Sequence, residues 1–229
     1  MPTRGKRESE LYPLLAKWLE RNHKCFVTAQ NKGLKFSRMD VVGIRDIGGD
    51  LSGDIETVVV EVKKGNTPFA TACGQTAGYA VYANRVYLAD LRDKRFGVDE
   101  IDIASQLEIG LIQIKGRACI EVLSSPFHEP IGRLNLALLE RLALGRCQMC
   151  GCFFRIGGMN PNQRWSSLAR EDLKKAIDSG KGFMFWNGEI AQRKDKVGIR
   201  KVDEGTTFER RFICPDCIEY FFTPFTDRD

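Results

Sequence analysis

The sequence predicts an α/β protein in which helices flank a mixed central sheet, followed by a small cysteine-bearing α+β domain. Three observations carry that prediction. Runs rich in Val and Ile, such as "DVVGIRDI" (40–47) and "ETVVVEVKK" (56–64), read as strands bounded by Gly, Asn and Asp turn residues. Segments with a helical period lie between such runs, which is the pattern of helices packed on a sheet. Two Cys-x-x-Cys pairs, "CQMC" (147–150) and "CPDC" (214–217), then open a stretch of different composition. At 229 residues and 43% apolar content the chain can bury one large core or two smaller ones.

Each element follows from its own pattern. Leu11, Leu14, Leu15, Trp18 and Leu19 recur at helical spacing and predict an amphipathic helix over 8–20. "KCFVTAQ" (24–30), 40–47 and 56–64 are the first three strands, with Asp40 opening the second and Glu61 near the end of the third. Thr67 and Pro68 start a helix running to about residue 83, with Pro at the first helical position. "RVYLADL" (85–91) is a fourth strand, and strand-helix-strand order implies a right-handed crossover onto a parallel neighbour. A helix over 99–109 follows. "GLIQIKGRACIEVL" then alternates about Lys115-Gly116 as a closing hairpin.

"SSPFHEPIG" (124–132) breaks the pattern, and "RLNLALLERLALG" reads as a linking helix ending at Gly145. The predicted organisation is a first domain at 1–126, a linking helix within 127–146 and a metal-binding domain at 147–229. The opening "MPTRGKRESE" is charged with no apolar core after it, and no apolar run is long enough to span a bilayer, so a soluble cytoplasmic protein is expected. The net charge of +5 is spread along the chain, which permits a nucleic-acid partner without identifying one.

The chemistry concentrates at "VVVEVKKGN" (58–66), an apolar run that finishes with Glu61, Lys63 and Lys64. Residues two apart in a strand share a face, so Glu61 and Lys63 point the same way and Lys64 the other. Mg²⁺ takes oxygen ligands, commonly one or two carboxylates, and Asp40 and Glu61 can supply them from neighbouring strands. A lysine held beside a metal-activated water favours its deprotonated form or stabilises charge on a phosphate.

"MD" (39–40) before "VVGI", then "EVK" (61–63), resembles the PD-(D/E)XK nuclease superfamily over residues 8–123. The resemblance implies a restriction-endonuclease-like fold, a DNA substrate and Mg²⁺ or Mn²⁺ as cofactor. It implies metal held by Asp40 and Glu61, water assisted by Lys63, and an acidic residue on the first helix matched by Glu8 or Glu10. "GQTAGYAVYANRVYLA" (74–89) looks like the helix of resolvase-like and exonuclease-like branches, which implies that Gln75 and Tyr79 approach the site or DNA. The superfamily's motif Pro is absent, since Arg38-Met39 stands before Asp40. Lys32, Lys35 and Arg38, just upstream, are the residue types that meet phosphate oxygens.

The structural alternatives are specific. Asp40 can serve as a turn residue, with Asp50 or Asp54 in its place if the register differs, and Glu8 and Glu10 can favour a helix N-terminus. A Glu-x-Lys pair on a strand is commonly a solvated ion pair.

The spacing within Cys147/Cys150 and Cys214/Cys217 lets four thiolates reach one tetrahedral Zn²⁺, with Cys152 as substitute ligand or bystander. Between the knuckles, "SSLAREDLKKAIDSG" (166–180) is expected to be helical. The aromatic and basic residues of 182–201 suit a small core and a DNA-contact surface. Cys25, Cys73 and Cys119 sit among apolar residues as small core groups.

With only His23 and His128, a His-rich nuclease site and an HExxH protease site are excluded, and there is no GxxxxGK[ST] phosphate loop. The leading expectation is therefore a Mg²⁺-dependent DNA endonuclease with a structural zinc domain. Its rivals are a non-catalytic nucleic-acid-binding or scaffold protein of the same fold, and an enzyme acting on RNA. The oligomeric state, a homodimer included, is left open.

Overall fold

The computed structural model describes residues 7–34, 37–48, 54–65, 67–147, 149–155, 183–185, 211–214 and 216–217. The chain divides into two compact units, with the break in the second half at Leu138/Leu139.

The first unit is a six-stranded mixed sheet flanked by helices. Its elements are α1 (Tyr12–Asn22), β1 (Cys25–Leu34), β2 (Ser37–Asp46), β3 (Ile55–Lys63), α2 (Phe69–Ala77), β4 (Arg85–Leu91), α3 (Val98–Gln106), β5 (Gly110–Lys115) and β6 (Ala118–Leu123); α4 (Gly132–Arg141) follows and contains the break between the units. The strands lie side by side in chain order, β1 to β6. β3–β4 and β4–β5 pair parallel, with α2 and α3 as the crossovers, and the other pairs are antiparallel.

β3 is buried on both faces, which explains its near-continuous Val run. Val58, Val60 and Val62 join Val41, Tyr87, Ala89, Ile112 and Ile114 in the core that receives Leu15, Trp18 and Leu19 of α1 and Leu11 just before it. Each Val, Leu or Ile side chain among them contributes roughly 2 kcal/mol of apolar burial. Alternation then turns Glu61 and Lys63 to the opposite face.

Several boundaries differ from the sequence reading. The helix expected over 8–20 is a single 3₁₀ turn, Glu8–Glu10, followed by α1 from Tyr12. Pro13 is the cause: it lacks an N–H and fits only a first helical turn, so the α-helix begins there and Glu8 and Glu10 precede it. β2 starts at Ser37, so Asp40 lies inside a strand, because the β1–β2 pairing runs on to Leu34 and Ser37. Pro68 caps α2 from outside, and a 3₁₀ turn, Gly78–Val81, replaces its predicted last turns. The linking helix ends at Arg141, because Ala143 turns into the left-handed region before a short strand.

In the second unit, β7 (Leu144–Arg146) pairs antiparallel with β8 (Phe153–Arg155), and β9 (Phe183–Phe185) with β10 (Arg211–Ile213). The helix predicted at 166–180 and the basic positions of 186–201 lie outside the described residues. Among the described residues no helix is long and apolar enough to cross a membrane.

Candidate functional site

Two carboxylates meet where β2 and β3 part. Val41 pairs with Val60, so the next residues outward, Asp40 and Glu61, face each other across the two strands. Backbone ties them together, because the Val62 N–H donates to Asp40 Oδ2 at 2.9 Å. The Tyr12 hydroxyl donates a short hydrogen bond to Asp40 Oδ1. Asp40 is half-buried, whereas Glu61 is 2% exposed.

Glu61 is held on both oxygens. Lys63 Nζ lies 2.5 Å from Oε1, and the Tyr79 hydroxyl lies 2.7 Å from Oε2. Lys63 Nζ also donates to Gln75 Oε1 at 3.1 Å, and Gln75 Nε2 reaches the Tyr79 oxygen at 3.4 Å. Asp40, Glu61, Lys63, Gln75 and Tyr79 therefore form one connected group. Glu8 is half-buried and its charge acts on Tyr12, whereas Glu10 is exposed.

Tyr12 escaped the sequence reading. The signal was available: a hydroxyl four residues after Glu8 on a segment already read as helical. Burial, then the Asp40 hydrogen bond and carboxylate charge, push its phenol well above the ordinary range, so it remains a donor.

Glu61 is electrostatically under-served. Burial raises its pKa, hydrogen bonds from Lys63 and Tyr79 pull it back, and the Asp40 charge raises it again; the net shift is upward. A buried carboxylate facing a second carboxylate is short of positive charge, and every one of these oxygens keeps a further lone pair. That donor set fits Mg²⁺ or Mn²⁺, which would be held by Asp40 and Glu61.

Elsewhere in the unit, buried acids have structural partners. Glu56 Oε2 accepts from Arg85 Nε at 3.0 Å and is bonded by Arg45 as well. Asp90 Oδ1 accepts the Gly65 N–H at 2.6 Å.

The cysteine knuckles form a separate centre in the second unit. The Sγ atoms of Cys147, Cys150, Cys214 and Cys217 all lie within 4.8 Å of one another. Thiolates around a tetrahedral zinc sit about 3.8 Å apart, so the set fits Zn²⁺. The first knuckle is shaped by backbone bonds from Cys147 N to Cys152 O, 2.8 Å, and from Gly151 N to Cys147 O, 3.0 Å. Gly151 has φ +79°, a conformation that side chains disfavour.

Met149 N and Cys214 N each lie 3.4 Å from Cys147 Sγ. Burial pushes the Cys147 thiol up, but backbone N–H donors from Cys150, Cys214 and Met149 outweigh it and bring it down to about 6. Cys152 Sγ is 3.2 Å from Cys150 Sγ but lies outside the quartet. Cys25 and Cys73 are buried and Cys119 is half-buried; burial pushes the thiol of Cys25 up to about 12 and those of Cys73 and Cys119 to about 11.

No protein-family model and no curated protein matches the chain. Among solved structures, the chain is similar to the SPO1766 protein of unknown function from Silicibacter pomeroyi, at 20% identity and TM-score 0.43, over 60% of this chain and 85% of that one. It is also similar to Pyrococcus furiosus SfsA, solved in complex with Ca²⁺, at 11% identity and TM-score 0.28, over 49% of this chain and 59% of that one.

Proposed function

We propose that the chain is a metal-dependent deoxyribonuclease that hydrolyses phosphodiester bonds within DNA strands. The observation that supports it most is the facing pair Asp40 and Glu61, with the Lys63 ammonium 2.5 Å from Glu61 on the same face. Mg²⁺ bound by the two carboxylates would supply Lewis-acid polarisation of a phosphoryl oxygen.

The chain's own groups do the rest. Tyr12 and the Val62 N–H fix the orientation of Asp40, and Tyr79 fixes that of Glu61. Lys63 brings a positive charge to developing phosphate charge or to the attacking water, and Gln75 orients it. In the second unit, the four thiolates would hold a structural Zn²⁺ that orders the two knuckles, and that unit assists DNA binding.

The test is incubation of the full chain with linear and covalently closed circular DNA, with and without Mg²⁺. Nicking of the circle only with Mg²⁺, lost in Asp40→Ala and Lys63→Ala while circular dichroism stays native, is the expected result. Wild-type cleavage by both variants would reject the reading.

A further inference from the structure

β3 stops pairing with β2 at Val41 and Val60, yet β1 and β2 continue to pair as far as Leu34 and Ser37. The sheet therefore extends past the two carboxylates as a two-stranded antiparallel ribbon. Asp40 stands at its root.

The ribbon's charge has one sign. From Gln30 to Met39 the sequence holds Lys32, Lys35 and Arg38 and no acidic residue, and of these Lys35 lies outside the described residues. Arg38 is exposed, as are Gln30, Asn31 and Gly33, and Lys32 is half-buried. Arg38 is two residues from Asp40 in β2, so it projects on the same face as Asp40, about 7 Å further along the strand.

Arg38 is also positioned. Its Nε donates a short hydrogen bond to Asn31 Oδ1, across the ribbon. That bond uses only the Nε–H of the guanidinium, whose two terminal amino groups form the end-on fork that pairs with phosphate oxygens. The backbone carbonyl of Arg38 lies 2.9 Å from the Tyr79 hydroxyl, the group that also reaches Glu61. The base of the ribbon is thereby tied to the side chains of the carboxylate site.

We propose that this ribbon is a DNA-gripping arm that holds duplex DNA, with Arg38 taking a phosphate adjacent to the scissile one and Lys32, which pairs with Met39 and so projects from the ribbon's other face, a phosphate across the groove. A two-stranded ribbon matches the width of a duplex groove, and its uniform positive charge complements the sugar-phosphate edges. The substrate side of this inference rests on the nuclease reading above.

The experiment measures binding of a fluorescent linear duplex to the full chain at several salt concentrations, in a Lys63→Ala background that removes cutting. Arg38→Ala is expected to weaken binding about tenfold at low salt and to lower the slope of log affinity against log salt by about one. Arg38→Lys should restore most of the slope, because the charge remains. Lys32→Ala carries the same readouts independently, should Arg38→Ala lower the thermal midpoint.

Unchanged affinity and slope in both alanine variants overturns the arm, and so does an absence of duplex binding by the Lys63→Ala parent. A wild-type chain that binds duplex through Arg38 yet cuts no DNA form leaves the arm standing and removes the nuclease reading. The two failures are thus distinguishable.

Discussion

Tyr12 and Tyr79 each present a phenol to one of the two facing carboxylates, Tyr12 to Asp40 and Tyr79 to Glu61. The two come from different elements, α1 and the 3₁₀ turn after α2. Ligand orientation by such neighbours governs how tightly a metal is held.

Tyr12→Phe removes one donor from Asp40 and keeps the ring in the core. The expected outcome is a Mg²⁺ requirement raised about tenfold, with thermal stability lowered by no more than about 1 kcal/mol. A titration of cleavage rate against Mg²⁺ concentration checks it. An unchanged half-saturation would show that Tyr12 has no positioning role.

How much of this site was legible follows from strand periodicity. The shared face of Glu61 and Lys63 needs only a period of two, and the buried Val run fixes β3 as a central strand. Asp40 opposite Glu61 needed a register, which depends on pairing across the β2–β3 connection rather than on local residues. The true start of α1 was hidden by a helical pattern that ignored Pro13. The ribbon was hidden for a different reason: Lys32 to Met39 has no β-branched residue and no strict alternation, and only the pairing of Lys32–Leu34 with Ser37–Met39 makes those residues strand.

Glu56 is expected to govern acid stability. Burial raises its pKa, but Arg85 and Arg45 outweigh burial and hold it below the ordinary carboxylate range. A lowered folded pKa means a contribution present above the ordinary carboxylate pKa and lost as pH falls through the folded value. Glu56→Gln should cost about 2 kcal/mol at neutral pH, and its deficit from wild type should shrink as the solution is acidified. Urea melts at a series of pH values measure this, and a deficit independent of pH would refute it.

The zinc centre makes a residue-level contrast. Elemental analysis of the purified chain should give about one zinc per chain, as four thiolates around one tetrahedral ion require. Cys147→Ser or Cys214→Ser should lose it, whereas Cys152→Ser should retain it, because Cys152 lies outside the quartet. Loss of zinc in Cys152→Ser would make Cys152 a ligand.

Gly110 should tolerate no side chain. A Cβ there would lie 2.4 Å from the Tyr87 ring and 2.7 Å from the Ser125 backbone nitrogen. Tyr87 is 1% exposed and cannot swing into solvent. Gly110→Ala is expected to destabilise the first unit by about 3 kcal/mol, read as a lowered denaturation midpoint. A wild-type midpoint would mean that the β4–β5 contact relaxes freely.

The side-by-side order of the six strands, each hydrogen-bonded to its neighbours in chain order, has a consequence for biosynthesis. A polypeptide leaving the ribosome can lay down this sheet one strand at a time, since no earlier strand must wait for a later one to slot in between. Growth then proceeds from the β1 margin towards β6, and the two acids come face to face as soon as the third strand has emerged.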